Sequence, residues 1–168
     1  YDGKYIFSEM GYNFLPSEIS AAFALEQLKK LKANINLRVK NFNKIYRYFK
    51  EYKNLFILPT EFKGLKTGWL AFPLIIKVES KILRKNLQIF LEKNGIQTRT
   101  IFTGNILRQP IMKSQFYKKC KDSAINSDNV MKNGVLIGCH HGLTNKDIDY
   151  MLSKFDKYFS KYKLQSHK

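Results

Sequence analysis

The stretch Asn94-Gly95-Ile96-Gln97-Thr98-Arg99, in the middle of the chain, decides how the rest is read. Asn-Gly is a helix stop, because glycine takes the left-handed conformation past a helix end without steric cost. Upstream of it, Leu83, Leu87, Phe90 and Leu91 recur at helical spacing, and Ser80 is the expected N-cap of that helix. Downstream, Ile96 to Phe102 predicts a short strand. An irregular polar segment follows, from Thr103 to Lys121.

Working toward the N-terminus, Trp69 to Val78 is a β-rich run, and Pro73 within it predicts an edge strand or a bulge. Pro59, Gly64 and Gly68 mark a loop before it. Leu15-Pro16-Ser17-Glu18 predicts a helix entry, with Ser17 as N-cap and Glu18 in the first turn. Apolar residues then recur at Leu28, Leu31, Ile35, Phe42, Ile45, Phe49 and Tyr52. Unbroken to Tyr52, this helix would be ~50 Å long at 1.5 Å per residue. A globule of this size has a radius of gyration of only ~15 Å. The helix is therefore expected either to overhang its own domain or to bend near Asn34-Ile35-Asn36. In both cases it is expected to dock on a body absent from this chain.

Toward the C-terminus, Ser127 opens a short helix that Gly134 closes, and Val135 to Cys139 reads as a strand. Thr144-Asn145-Lys146-Asp147 has the form of a capping box with Asp in the Glu position. Ile148, Met151, Leu152, Phe155 and Phe159 form the inner face of the last helix. The order of elements predicts an α/β fold of the α+β kind: a long N-terminal helix and a small open sheet carrying helices on one face. The expected divisions are 1–52 (turn and long linking helix), 53–163 (small α/β domain) and 164–168 (frayed tail).

Composition narrows the function classes. At 168 residues, 44% hydrophobic and 14% aromatic, the chain suits one folded domain and not a disordered segment. No apolar run approaches the ~18 residues that cross a bilayer. Tyr1 to Met10 is not a cleavable leader, and Cys120 and Cys139 give no disulfide framework, so a cytoplasmic location is expected. The first residue is not Met, which reads as a segment of a longer chain. The net charge of +17 suggests an anionic partner: nucleic acid, a membrane surface or an anionic ligand. Lysine is spread evenly, however, and only five of the 30 basic residues are arginine, which reads as a solvated face. Nucleic acid and membrane are not the expected partners. A stand-alone basic binding module remains the alternative reading.

Two local signatures carry ligand chemistry. Gly11-Tyr12-Asn13 is a turn just before a helix, where an Asn amide either serves the local backbone or faces an anion at the helix N-terminus. Arg99, Asn105, Arg108 and Gln109 lie in one polar stretch with Gly104 and Pro110. Their fork and amide groups suit a diphosphate or sugar hydroxyls, or else the loop's own backbone. Cys139-His140-His141-Gly142 invites a metal reading, but neighbours in extended backbone point apart and no other ligands stand at zinc spacing. One imidazole at a strand end, His140, remains a ligand contact. No Gly-rich phosphate loop, carboxylate pair or nucleophile–base pair is evident, so no catalytic and no metal residue is assigned.

At these residues the chain resembles a known family. Gly11-Tyr12-Asn13 followed by Ser17-Glu18-Ile19-Ser20-Ala21-Ala22 and Leu25-Glu26-Gln27-Leu28 is similar to the DegT/DnrJ/EryC1/StrS group of pyridoxal-phosphate-dependent sugar aminotransferases. Asn94 to Arg99 with Thr103 to Pro110, and the segment Asn126 to Thr144, resemble its nucleotide-diphospho-4-keto-6-deoxyhexose 3-dehydrase branch in lipopolysaccharide biosynthesis. The resemblance implies the C-terminal domain of a fold-type I, aspartate aminotransferase-like enzyme, with a mainly antiparallel sheet. It implies that Asn13 reaches the cofactor phosphate across a homodimer interface. It further implies that Arg99, Asn105, Arg108 and Gln109 face a nucleotide-diphospho-sugar. Ile101 and Phe102 stand where aminotransferase members place a His and an aromatic, which favours the dehydrase branch. The large domain, with its pyridine-nitrogen carboxylate and its active-site Lys or His, is missing. The chain alone is therefore expected to bind neither pyridoxal phosphate nor pyridoxamine phosphate and to be inactive, and whether it is itself an enzyme stays open.

Overall fold

A computed structural model describes residues 12, 14, 16–114, 124–162 and 164. Four α-helices and four strands are assigned among them: α1 (Glu18–Lys50), β1 (Phe56–Ile57), β2 (Ala71–Ile76), α2 (Arg84–Lys93), β3 (Thr98–Arg99), α3 (Ile125–Asn133), β4 (Gly134–Gly138) and α4 (Asn145–Lys161). Two compact units divide the chain, Tyr1–Ala33 and Asn34–Lys168, so the division falls inside α1. The expected domain began at residue 53. The compact unit begins earlier because the second half of α1 buries Asn41, Phe42, Ile45 and Phe49. In the first unit, Ile19, Phe23, Leu25, Leu28 and Leu31 are exposed.

The sheet of the second unit runs β1-β2-β4-β3, antiparallel throughout. Alternation along β2 buries Phe72, Leu74 and Ile76, and β4 adds Val135 and Ile137. Against these lie Phe42, Ile45 and Phe49 of α1, Leu87 and Leu91 of α2, and Ile148, Met151, Leu152, Phe155 and Phe159 of α4. The inner face expected for α4 is the one observed. Phe49 is the hub of an aromatic cluster, with ring contacts to Phe56, Phe72 and Phe155 at 5.4, 5.7 and 4.9 Å. Trp69, half-buried, stacks on Phe42 at 4.0 Å with the rings 9° from parallel.

Local signals account for the helix ends. After α2, Ile96 N–H donates to Leu91 O and Gly95 N–H to Glu92 O, with Gly95 at φ +74°. This is the Schellman arrangement, and its hydrophobic pair, Ile96 and Leu91, is buried. Thr144 and Asp147 form the expected capping box of α4.

Several elements depart from expectation. Ser80 does not cap α2. It lies in a 3₁₀ turn, donates to Lys77 O, and is followed by Lys81 at φ 61°, so α2 starts at Arg84 and Leu83 is left exposed. The strand expected over 96–102 contracts to Thr98–Arg99. Glu92 takes both the N–H and the hydroxyl of Thr98, and Phe102 turns the backbone away at φ 47°. Pro73 lies on a strand with two neighbours, but β1 covers only Ile75 and Ile76. Among the described residues no strand lies on the edge of β2 beside Pro73, so the missing N–H disrupts no ladder there.

Candidate functional site

The Schellman turn after α2 delivers the chain to β3, where Arg99 pairs with Leu136 of β4. Leu136 stands on the opposite side of β4 from the buried Val135 and Ile137, so Arg99 lies on the face turned away from the helices. Beyond Arg99 the sheet is open, and there a cavity of about 700 Å³ forms. Its apolar wall includes Leu70, Leu136 and Leu143, and the ring of Tyr150 adds to it. Its polar side chains include Gln97, Arg99 and His140.

Each polar group is in a definite hydrogen-bonding state. Arg99 and Gln97 have no side-chain hydrogen bond or ion pair among the described residues, so their donors are available to a ligand. Tyr150 is spent on the wall, its hydroxyl donating to Asn94 O at 3.0 Å. Asp147 also lines the cavity, but its carboxylate accepts from the N–H and hydroxyl of Thr144 at 2.8 and 2.7 Å. Those bonds hold its pKa below the usual carboxylate range. His140 accepts from Gly142 N–H at Nδ1 (3.2 Å).

The other motif residues are placed elsewhere. Asn105, buried, donates from Nδ2 to Asp128 at 2.7 Å and accepts Leu107 N–H at 3.0 Å, which caps a 3₁₀ turn. Arg108 grips the same carboxylate through two nitrogens, Nε to Oδ1 at 3.0 Å and Nη2 to Oδ2 at 2.7 Å. These two partners, Arg108 foremost, pull Asp128 down to a pKa of about 2. Gln109 donates weakly to Thr103 O at 3.4 Å and lines a smaller cavity of about 220 Å³ with Arg84 and Gly104. A Cβ on Gly104 would come within 2.3 Å of Met131 Cβ, so this loop lies directly on α3. Of the five residues expected to face a ligand, the cavity brings Arg99 and His140 together, and Asn105 and Arg108 meet on Asp128. Asn13 lies outside the described residues.

Three contributors were not singled out from sequence: Gln97, Asp128 and Arg84. Arg84 donates from Nη1 to Met131 O at 2.8 Å and Gly134 O at 3.3 Å, a cation on the C-terminal carbonyls of α3. Gln97 stands two residues before Arg99, on the same side of an extended backbone, and that period of two is the signal that finds it. Asp128 carries no such mark, because its partners lie 20 and 23 residues away.

Cys139 is buried and its thiol is pushed up to about 11 by burial, partly offset by nearby Arg38. It is a neutral group against Trp69 O, unsuited to act as a nucleophile. No group of three or more metal-ligating side chains is found among the described residues.

A profile of the DegT/DnrJ/EryC1/StrS aminotransferase family matches residues 1–156. The lipopolysaccharide biosynthesis protein RfbH of Salmonella typhimurium is 32% identical over 159 residues, 95% of this chain and 36% of that protein. The GDP-4-keto-6-deoxy-D-mannose 3-dehydratase of Escherichia coli O55:H7 is 34% identical over 141 residues, 84% of this chain and 36% of that protein. A solved structure of the E. coli 3-dehydratase with bound hydrated PLP superposes with a TM-score of 0.77 at 31% identity, over 90% of this chain and 38% of that one. The chain thus spans about a third of the length of the relatives it matches.

Proposed function

Because the chain belongs to the DegT/DnrJ/EryC1/StrS aminotransferase family, we propose that it supplies the C-terminal, substrate-facing part of a nucleotide-sugar 3-dehydrase or aminotransferase of deoxysugar and lipopolysaccharide synthesis, working in the cytoplasm with a large domain as partner. The observation that carries this reading is the convergence of Arg99 and His140, with Gln97, on one cavity. A guanidinium, an imidazole N–H and an amide set against an apolar wall suit a ligand that joins anionic oxygens to a flat ring. Asn105, Arg108 and Gln109 act one step removed: they hold the 103–114 loop on α3 and at Asp128.

The cavity does not fit pyridoxal phosphate. Among the described residues no lysine lines it to hold the aldehyde carbon, and the one carboxylate there is bound to Thr144. When bound in the intact enzyme, the cofactor supplies the electron sink. This chain's residues bind and orient the sugar nucleotide.

The test has two arms. The isolated chain, mixed with pyridoxal phosphate and borohydride, is expected to give no stoichiometric adduct and no sugar turnover. A single-site adduct with a defined absorption band would contradict that. Affinity for GDP- or dTDP-linked 4-keto-6-deoxyhexose is expected to fall about tenfold in Arg99→Ala, the loss of one charge-assisted contact. Equal affinity in the two proteins would overturn the assignment of this cavity.

A further inference from the structure

We propose that Asn41 and Gly142 are positioning residues that hold His140 with Nδ1 accepting and Nε2–H donating into the cavity, aimed at an oxygen of the sugar nucleotide. The ligand class rests on the functional reading above; the positioning rests on geometry alone.

Asn41 is a buried polar residue on α1, flanked by the core residues Phe42 and Ile45. A buried amide is costly unless its hydrogen bonds are made, so an apolar side chain would serve packing better there. Its amide nitrogen spans 99 residues to donate to His140 O at 2.9 Å, and also donates to Leu143 O at 3.2 Å. Both ends of the 140–143 turn are thereby tied to α1. Within that turn, Leu143 N–H donates back to His140 O and Gly142 N–H donates to the imidazole Nδ1, each at 3.2 Å. An Nδ1 that accepts carries no proton, so the neutral ring must carry it on Nε2.

The ring is also held sterically. A Cβ on Gly142 would stand 3.2 Å from Nδ1 and 3.3 Å from Cε1, closer than ordinary contact. A Cβ on Gly138 would meet Cδ2 at 3.6 Å and Nε2 at 3.9 Å. The imidazole therefore lies between two glycines, with its Nδ1 edge occupied by the turn. Arg99 and Gln97 line the same cavity, so His140 adds a donor to a site already rich in donors. Such a set recognises acceptor oxygens, of phosphate or of a sugar carbonyl, and needs no charge on the imidazole.

The experiment reads the tautomer directly, by long-range ¹H–¹⁵N correlation of the labelled full chain. His140 is expected to show an unprotonated Nδ1 and a protonated Nε2. A second tautomer should appear in Gly142→Ala, which leaves the core untouched, and in Asn41→Ser. Protonation at Nδ1 in the wild type, or identical ring signals in both variants, would overturn the positioning. GDP and dTDP are then titrated as probes. His140→Gln, whose amide nitrogen stands near Nε2, should stay within about threefold of wild type. His140→Asn, whose amide stands near Nδ1, should lose about tenfold. The reverse order would contradict the donor role. If the wild type binds neither probe, the nucleotide reading of the cavity fails, while the tautomer signals still decide the positioning.

Discussion

Asp128 shows how residues that read as ligand contacts in sequence can meet on a support. Arg108 and Asn105 both bind its carboxylate, and its pKa of about 2 lies well under the ~3.9 of an unfolded Asp. A carboxylate depressed by folding adds stability above its unfolded pKa and loses it as pH falls toward the folded one. Its contribution is therefore full above pH ~4 and disappears by about pH 2. Glu92 and Asp147, both lowered by bonds to threonines, act in the same direction. Urea midpoints of wild type and Asp128→Asn should differ clearly at pH 6 and converge as the pH approaches 2. A gap that persists unchanged into acid would show that charge has no part in holding this loop. Asn105→Ala removes a buried bond to Asp128 and the cap on Leu107 N–H, and should lower stability by about 1–2 kcal/mol in the same measurement.

The elements were largely readable because their signals are local. The Gly95 cap, the Thr144 box and the spacing of Ile148 to Phe159 each lie within a few turns of one helix. The second half of α1 likewise placed Phe42, Ile45 and Phe49 inside, and the small antiparallel sheet with its helices matches expectation. Misreadings occurred where short-range turns and side-chain bonds override the apolar pattern. Glu92 ends the outer edge of β3, and the turn at Lys81 displaces the start of α2 from Ser80 to Arg84. The site was half legible: Arg99 and His140 share the cavity, whereas the Arg108–Asp128 and Asn41–His140 bonds span 20 and 99 residues and leave no trace in spacing. Two substitutions calibrate the elements. Phe49→Ala, fully buried at the centre of the aromatic cluster, should cost about 3–5 kcal/mol by chemical denaturation. Thr144→Ala should cost about 1 kcal/mol, since it removes one cap at an exposed helix start. Equal losses from the two would mean that the aromatic cluster is not the core it is described to be.

At the scale of the whole molecule, the chain is about a third of its relatives, and its first unit exposes Ile19, Phe23, Leu25, Leu28 and Leu31. Apolar surface of this kind seeks a partner or self-associates. Sedimentation at rising concentration in moderate salt is expected to show self-association in spite of the +17 charge, and a single monomer throughout would argue against an unmet interface. That charge is dispersed, so DNA binding should be weak and fall steeply with salt, by about −0.9 in log–log slope per phosphate neutralised. No helix among the described residues is long and apolar enough to cross a membrane. The central claim is that this chain presents a sugar nucleotide with the Arg99–His140 cavity. The most direct test is a residue-resolved NMR titration with a GDP- or dTDP-linked 4-keto-6-deoxyhexose. Amide and side-chain shifts concentrated at Gln97, Arg99, Gly138 to Gly142 and Tyr150, and abolished by Arg99→Ala, are the predicted result. Shifts confined to the Asn105–Ser114 loop, or none at millimolar ligand, would contradict the claim.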